Sequence, residues 1–260
     1  MIRLNANLSM LFNEVDFLDR FAAASNAGFA GVEYLFPYDY ALADIRQRLD
    51  DFGLRQVLFN LPAGDWAKGD RGIACDPARI GEFRDGIDKA IEYAQGLGCD
   101  QCNVLAGIRP PDCDEHLAHE TLVANLRHAA RRFREVGLRL LIEAINTRDI
   151  PGFFLNRSAQ AIAIMDEVES DNLFFQYDIY HMQVMEGNLA ETIHKLLPRI
   201  GHMQLADNPG RHEPGTGEIN YEFLLAHIAA LGYTGWIGCE YIPLATTTGG
   251  LGWIEPYRSR

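Results

Sequence analysis

A repeated alternation constrains this chain more than any other feature. Short runs rich in Ile, Leu, Val and Phe recur at residues 3–7, 31–36, 54–60, 101–105, 139–143, 173–178, 200–206 and 235–241. Between them lie stretches with apolar residues at helical spacing, at 15–27, 41–52, 80–97, 117–136, 159–168, 189–197 and 221–231. Gly28, Gly98, Gly137 and Pro198 supply helix stops, and Ser158 reads as an N-cap for 159–168. The last run is followed by a loop and a short terminal helix. Strands apolar along their whole length are buried on both faces, which is the habit of parallel sheets joined by helices. Eight such units, with no linker between them, predict closure into one α/β domain over residues 1–260, a (β/α)8 TIM barrel.

Charge and composition then remove several classes of function. Thirty-six acids against 23 Lys and Arg leave a net charge of −13, which argues against a nucleic-acid partner, whose phosphates are bound by basic contacts. Five cysteines, at 75, 99, 102, 113 and 239, form no disulfide framework, and the lone C-x-x-C of Cys99 and Cys102 reads as small residues at a strand start. His116 and His119 stand among charged residues and read as solvated. No apolar run approaches the length of a membrane span, and MIRLNANLSM lacks a signal-peptide pattern. The expectation is a cytoplasmic protein with no membrane partner.

The chemistry concentrates where strands end. The run FFQYDIYHM carries an aromatic strand into Asp178 and, three residues on, His181. LRLLIEAIN ends in Glu143, IGHMQLAD in Gln204 and Asp207, and GWIGCEY in Glu240. Taken singly, each is an ordinary polar residue at a strand end; recurrence on four consecutive strands points to a site. Parallel α/β folds bind ligands at that end, and strand ends about 4.8 Å apart can converge on one ion. Glu143, Asp178, Gln204 and Glu240 form an all-oxygen set suited to Mg²⁺ or Mn²⁺. Such a cation would polarise a substrate carbonyl beside a hydroxyl, while Glu143 and Glu240, facing each other, take and return a carbon-bound proton through an enediolate. The long loop after the third strand, residues 61–79, reads equally as a substrate lid and as a plain surface excursion. PGTGE lacks the G-K-[ST] that a phosphate-cradling loop requires.

Motifs along nearly the whole chain carry a resemblance: ANLSMLF, VEYLFPYDY, NLPAGDW, RGIAC, IEAIN, YDIYHMQ, ADNPGRHEPGTGEINY, GWIGCEY and the LGW…PYR tail. On these the sequence is similar to the hydroxypyruvate isomerase family, within the xylose-isomerase-like barrels. The resemblance implies Glu143 and Glu240 as the acid–base pair, and interconversion of hydroxypyruvate with 2-hydroxy-3-oxopropanoate (tartronate semialdehyde). Through the related ketose 3-epimerases it implies Asp178 as a metal ligand and His181 and Arg211 as substrate-binding residues; Asp207 and Glu213, in the same run as Arg211, join that set. The sequence departs from those epimerases in carrying Gln204 where they have a histidine, and Asp149 where they have a second glutamate. The 2-oxo-tetronate isomerases form a sister group on the same scaffold. A substrate carboxylate calls for a cation, for which Arg71, Arg109, Arg148 and Arg211 are candidates. Trp66, Phe12 and Tyr180 are candidates for an aromatic wall. The expected partners are a small sugar-acid or oxo-acid substrate and, in a homo-oligomer, further copies of the chain.

Overall fold

The computed structural model describes residues 2–257; Arg258, the last residue of the PYR motif, lies outside them. Eight parallel strands form one sheet: β1 (Arg3–Asn7), β2 (Gly31–Glu33), β3 (Arg55–Leu58), β4 (Gln101–Val104), β5 (Arg139–Glu143), β6 (Leu173–Asp178), β7 (Ile200–Leu205) and β8 (Trp236–Cys239). The hydrogen-bonded order is β3-β2-β1-β8-β7-β6-β5-β4. The remaining seam, between β3 and β4, closes through the Asn60–Asn103 bridge, where the Asn103 N–H donates to the Phe59 carbonyl at 3.0 Å and the Leu61 N–H to the Asn103 carbonyl at 2.9 Å. The sheet is therefore the expected barrel.

Helices α1 (Arg20–Asn26), α2 (Leu42–Phe52), α3 (Ile80–Leu97), α4 (Glu115–Glu135), α5 (Ser158–Val168), α6 (Ile179–Met185), α7 (Leu189–Leu196) and α8 (Tyr221–Ala230) surround it. Helical spacing decides which faces they bury. In α3, Phe83, Ile87, Ala90, Ile91, Ala94 and Leu97 turn inward, each large side chain contributing roughly 1.5–3 kcal/mol on burial. Gly98 ends that helix with φ +67°, a conformation that costs any residue with a Cβ.

Four local features differ from expectation. The first helix starts at Arg20, after a 3-10 turn at Phe17–Asp19, rather than at residue 15. Ser158 is the first helical residue of α5, not its cap. Its N–H and hydroxyl both donate to the Glu186 carboxylate at 2.7 Å, so a residue just past α6 supplies the oxygen. The eighth unit ends in a 3-10 helix, Thr248–Tyr257. The largest difference is α6, which follows β6 without a loop. Asp178 ends the strand and caps the helix, its Oδ1 accepting from the His181 N–H at 2.9 Å. His181 thus sits on the first turn of a helix rather than at the end of a strand.

Most of the apolar core lies between sheet and helices. Inside the barrel, Val57, Leu58 and Leu141 pack with Phe174 and Trp236. Above them the filling turns polar. Glu33, buried on β2, accepts from Asn5 Nδ2 at 2.7 Å, Asn7 Nδ2 at 3.1 Å, Gln204 Nε2 at 2.7 Å and pairs with His202 Nε2 at 2.8 Å. Gly238 makes room for it, since a Cβ there would fall 2.2 Å from Glu33 Oε1. Gly238→Ala should therefore lower the unfolding free energy by about 1–3 kcal/mol, the usual range for overpacking. Urea denaturation checks this; an unchanged midpoint would show that the Glu33 carboxylate is free to move aside.

Candidate active site

The C-terminal ends of the strands surround a cavity of about 80 Å³. Asn7, Glu33, Asn60, Glu143, Gln176, His181, Gln204, Arg211 and Glu240 supply its polar lining, and Tyr34, Leu58, Trp66, Leu105, Ile145 and Ile150 are among its apolar wall. Of the expected strand-end residues Glu143, Gln204 and Glu240 line it, and Asp178 stands beside Glu143 and His181. Glu143 closes β5 and Asp178 closes β6; Gln204 lies within β7, and Glu240 follows β8 directly.

Among the described residues, one group of potential metal ligands is tight and buried. Donor atoms of Glu143, Asp178 and His181 lie within 4.8 Å of one another. His181 Nε2 is 3.8 Å from Glu143 Oε1 and 3.8 Å from Asp178 Oδ2. Asp178 Oδ2 is buried with no hydrogen-bond partner, an arrangement costly for a carboxylate oxygen unless a cation or donor comes to it. The cluster suits a divalent cation. Glu143 and Asp178 belong to the expected all-oxygen set, and His181, expected as a substrate-binding residue, stands beside them with a nitrogen donor.

Gln204 is turned to other work. Its Nε2 donates to Glu33 and to Glu240 Oε2, and its Oε1 accepts from Gln176 Nε2 at 2.6 Å. Facing two carboxylates, the amide presents N–H to them rather than carbonyl. Glu240 stands outside the cluster, fixed by Asn7 Nδ2 at 2.9 Å and Gln204 on Oε2, and by Arg211 Nη2 at 2.6 Å on Oε1. Glu143 accepts from Asn103 Nδ2 at 3.1 Å.

The remaining candidates separate clearly. Of the four arginines, Arg211 lines the cavity. It sits over the Tyr180 ring at 5.3 Å, its Nη1 is 3.6 Å from Asp149, and its buried Nε has no partner. Arg71 stacks on Trp66 at 4.2 Å and donates to the Trp66 and Asp70 carbonyls. Arg109 donates to the Cys113 carbonyl, and Arg148 is exposed. Asp207 is not brought to the cavity. Both its oxygens are taken by its own loop, through the N–H groups of Asn208, Gly215, Gly217 and Ile219. Glu213 likewise accepts from the Leu244 N–H at 2.9 Å and braces the loop after β8. Of the expected aromatic wall, Trp66 reaches the cavity; Phe12 is core, and Tyr180 lies beneath Arg211. His116 and His119 pair with Glu120 and Glu167 on the outer face of α4, and all five cysteines are free.

Several residues of the site were not anticipated. Glu33, inside GVEYLF, carries no sign that it faces inward. Asn7, Asn103 and Asn146 are short amides whose roles depend on partners far along the chain. Asn146 accepts from the Arg148 and Asp149 N–H groups on Oδ1, which turns its Nδ2 to His181 Nδ1 at 2.7 Å. In that arrangement the neutral imidazole carries its hydrogen on Nε2, facing Glu143 and Asp178. Coordination through Nε2 requires the Asn146 amide to turn over.

Electrostatics follow from burial. Desolvation, then the charges of Glu240 and Asp178, push the Glu143 carboxyl well above the usual glutamate range, against Arg211 and a Gln176 hydrogen bond. Burial also raises Glu240 to about 8, with Arg211 opposing and Asp178 and Glu33 adding. Desolvation lowers His181 to about 4. The signs give a stability profile for the metal-free protein. Glu240, raised from 4.5 to about 8, contributes stability that is complete below about 4.5 and lost as pH rises through 8. His181, lowered from 6.5 to about 4, contributes stability that is complete above 6.5 and lost as pH falls through 4. The melting temperature of metal-free protein should thus decline above pH 6.5. Added Mn²⁺ should raise it more at pH 8 than at pH 6, because binding displaces protons from the carboxylates. Equal increments at both pH values, read by calorimetry, would show those carboxylates already ionised without the cation.

Comparison with known proteins agrees with this geometry. Residues 21–257 match the family model described as a xylose isomerase-like TIM barrel. The chain is 53% identical to hydroxypyruvate isomerase of Escherichia coli over 258 residues, 99% of this chain and 100% of that one. It is 50% identical to 2-oxo-tetronate isomerase of Cupriavidus necator over 260 residues, covering 100% of both. A solved structure described as an AP endonuclease, family 2, from Brucella melitensis superposes with TM-score 0.97 at 44% identity, covering all of both chains. L-ribulose 3-epimerase, at 24% identity and TM-score 0.75 over 95% of this chain and 83% of that one, shares the fold. Among the described residues no helix is long and apolar enough to cross a membrane.

Proposed function

Because this chain belongs to the hydroxypyruvate and 2-oxo-tetronate isomerases of the xylose isomerase-like TIM-barrel family, we propose that it interconverts hydroxypyruvate and 2-hydroxy-3-oxopropanoate by proton transfer between Glu143 and Glu240. The carrying observation is the pair itself: two buried glutamates on one small cavity, both with pKa values raised by burial, Glu240 to about 8. Carboxyl groups of that kind exchange protons with carbon acids near pH 7, which an exposed glutamate does poorly.

The reaction moves one hydrogen between adjacent carbons. One glutamate removes a proton from the hydroxymethyl carbon of hydroxypyruvate, leaving an enediolate. The other delivers a proton to the former carbonyl carbon, while the hydroxyl proton passes to the neighbouring oxygen. In the reverse direction the two residues exchange roles. A divalent cation held by the Glu143–Asp178–His181 cluster would supply Lewis-acid polarisation of the carbonyl and stabilise the charge that develops. Arg211 faces the substrate carboxylate with an Nε that has no protein partner. Trp66, Leu105, Ile145 and Ile150 exclude water, which strengthens each of these interactions. A cavity of about 80 Å³ holds on the order of six water-sized groups, matching a three- or four-carbon acid better than a hexose.

A four-carbon substrate is the second reading, favoured by the 50% identity to a 2-oxo-tetronate isomerase. An epimerase is less well supported. Asp149, at the position of the epimerases' second glutamate, is tied to Asn146 at 3.1 Å and to the Tyr180 hydroxyl at 3.3 Å, away from the cavity lining. The −13 charge and a site shaped for a small acid support an enzyme without a nucleic-acid partner. Five free cysteines support a cytoplasmic location.

Proton NMR of the protein with hydroxypyruvate in D₂O, with and without Mn²⁺ or Mg²⁺, tests the proposal. Tartronate semialdehyde should form with solvent deuterium at the former carbonyl carbon. Absence of conversion, alongside turnover of a 2-oxo-tetronate, would move the substrate and leave the site intact. Glu143→Gln and Glu240→Gln should each reduce kcat by about 10²–10⁴-fold in folded protein. Near-native turnover by either variant would overturn the two-carboxylate mechanism.

A further inference from the structure

The floor of the cavity holds a carboxylate that the proposed reaction leaves unused. Glu33 is 1% exposed, and both its oxygens are fully engaged. Oε1 accepts from Asn7 and Gln204, and Oε2 from Asn5 and His202. It has no free oxygen for a substrate. Its geometry instead passes upward to Glu240 through two amides.

Asn7 Nδ2 lies 3.1 Å from Glu33 Oε1 and 2.9 Å from Glu240 Oε2. Gln204 Nε2 makes the same pair of contacts, at 2.7 Å to Glu33 Oε1 and a short one to Glu240 Oε2. Each NH₂ group therefore spends one hydrogen on Glu33 and the other on Glu240. The amide oxygens are held from behind, Asn7 Oδ1 by the Ser9 N–H at 3.0 Å and Gln204 Oε1 by Gln176 at 2.6 Å. Turning either amide over would set a carbonyl against two carboxylates.

We propose that Glu33 is a positioning residue for Glu240: as a common acceptor it fixes the Asn7 and Gln204 amides with their second hydrogens on Glu240 Oε2, and so sets the orientation of the carboxylate that exchanges protons with substrate. The proposal rests on the reading of Glu240 as a proton-transfer group. Strand placement makes the device rigid. Glu33 and Asn7 are ladder partners on β2 and β1, Gln204 and Gly238 are partners on β7 and β8, and the Glu33 carboxylate lies where a side chain at position 238 would begin. An acceptor is needed at position 33. A leucine there has a similar size but accepts nothing, so neither amide would have a partner below to hold its second hydrogen on Glu240.

Glu33→Leu tests this in the full-length protein by kinetics and by crystal structure. The expected result is a fall in kcat of about 10- to 100-fold, the scale of a misplaced catalytic group, with KM held within about threefold. The crystal structure should show the Asn7 or Gln204 amide rotated and Glu240 Oε2 missing at least one donor. In a Gln204→Leu background the further loss from Glu33→Leu should shrink to less than about threefold, since a shared path is non-additive. Unchanged kcat, or a crystal structure with both bridges and Glu240 in place, would overturn the proposal, as would losses that multiply in full. Should Glu33→Leu not fold, Asn7→Ala removes one bridge without touching Glu33; kcat should fall while KM holds, and an unchanged kcat would sink the idea. A parent protein inactive on hydroxypyruvate and on 2-oxo-tetronates would refute the isomerase reading alone, because the crystal structure still decides whether Glu33 sets the position of Glu240.

Discussion

Four carboxylates, Glu33, Glu143, Asp178 and Glu240, are buried on or beside one cavity with a single guanidinium, Arg211, on its lining. Everything else at this end of the barrel answers the charge problem that this creates. Removing an ionised carboxylate from water costs several kcal/mol even after relaxation, and like charges add to the penalty. The site has three ways to relieve it. Protons stay on Glu143 and Glu240 to unusually high pH, Arg211 meets Glu240 directly, and a divalent cation can enter the Glu143–Asp178–His181 cluster. The same stress suits the glutamates to the proposed proton transfer, because a carboxyl whose pKa is raised gives and takes protons more readily than an exposed one.

The barrel provides this crowding as a matter of register. β5 to β8 are consecutive neighbours, and Asp178 lies opposite Gln204 in the β6–β7 ladder. Side chains at the ends of these strands cannot avoid one another. Below them a hydrophobic filling would leave Glu240 Oε2 without donors. The polar layer around Glu33 instead carries hydrogen bonds from β1, β2 and β7 up to the cavity floor. Such a network is rigid when every member is satisfied and costly when one is not, which is why Gly238 and Glu33 have to be considered together.

The outline of the barrel and the positions of Glu143, Asp178 and Glu240 were legible because both depend on local signals. Apolar runs of strand length carry their own periodicity, and an acid at the end of such a run is visible in one dimension. Glu33 and His202 were not, since inside GVEYLF and IGHMQL nothing tells an inward polar residue from an outward one; their pairing spans 169 positions in sequence. The same limit applies to Gln204. An amide at a strand end can present oxygen or nitrogen, and Glu33, 171 positions away, decides in favour of nitrogen. Helix α6 was hidden for a different reason: IYHMQV is apolar enough to extend the preceding strand, and only the Asp178 cap shows where the chain turns.

Asp149 shows how a small change in reach can narrow what the proposed chemistry is able to do. A glutamate at that position, one methylene longer, could extend towards a carbon further along a sugar chain. Asp149 is instead bound by Asn146, Tyr180 and the Arg211 guanidinium at 3.6 Å. In that place it steadies Arg211, whose backbone already sits at φ +57°, a conformation costing an ordinary L-residue roughly 1–2 kcal/mol. The loop holds that strain because Asp207 gathers four of its N–H groups, which keeps the guanidinium at the rim of the cavity instead of in solvent. In the proposed reaction Glu143 and Glu240 would serve two adjacent carbons, and an arginine whose Nε has no protein partner would give the acid group of the substrate one place to bind. A short oxo-acid held by its carboxylate and turned over at the next two carbons fits those constraints; a longer sugar would need further polar groups for its remaining hydroxyls, and Asp149 is not among the residues that line the cavity.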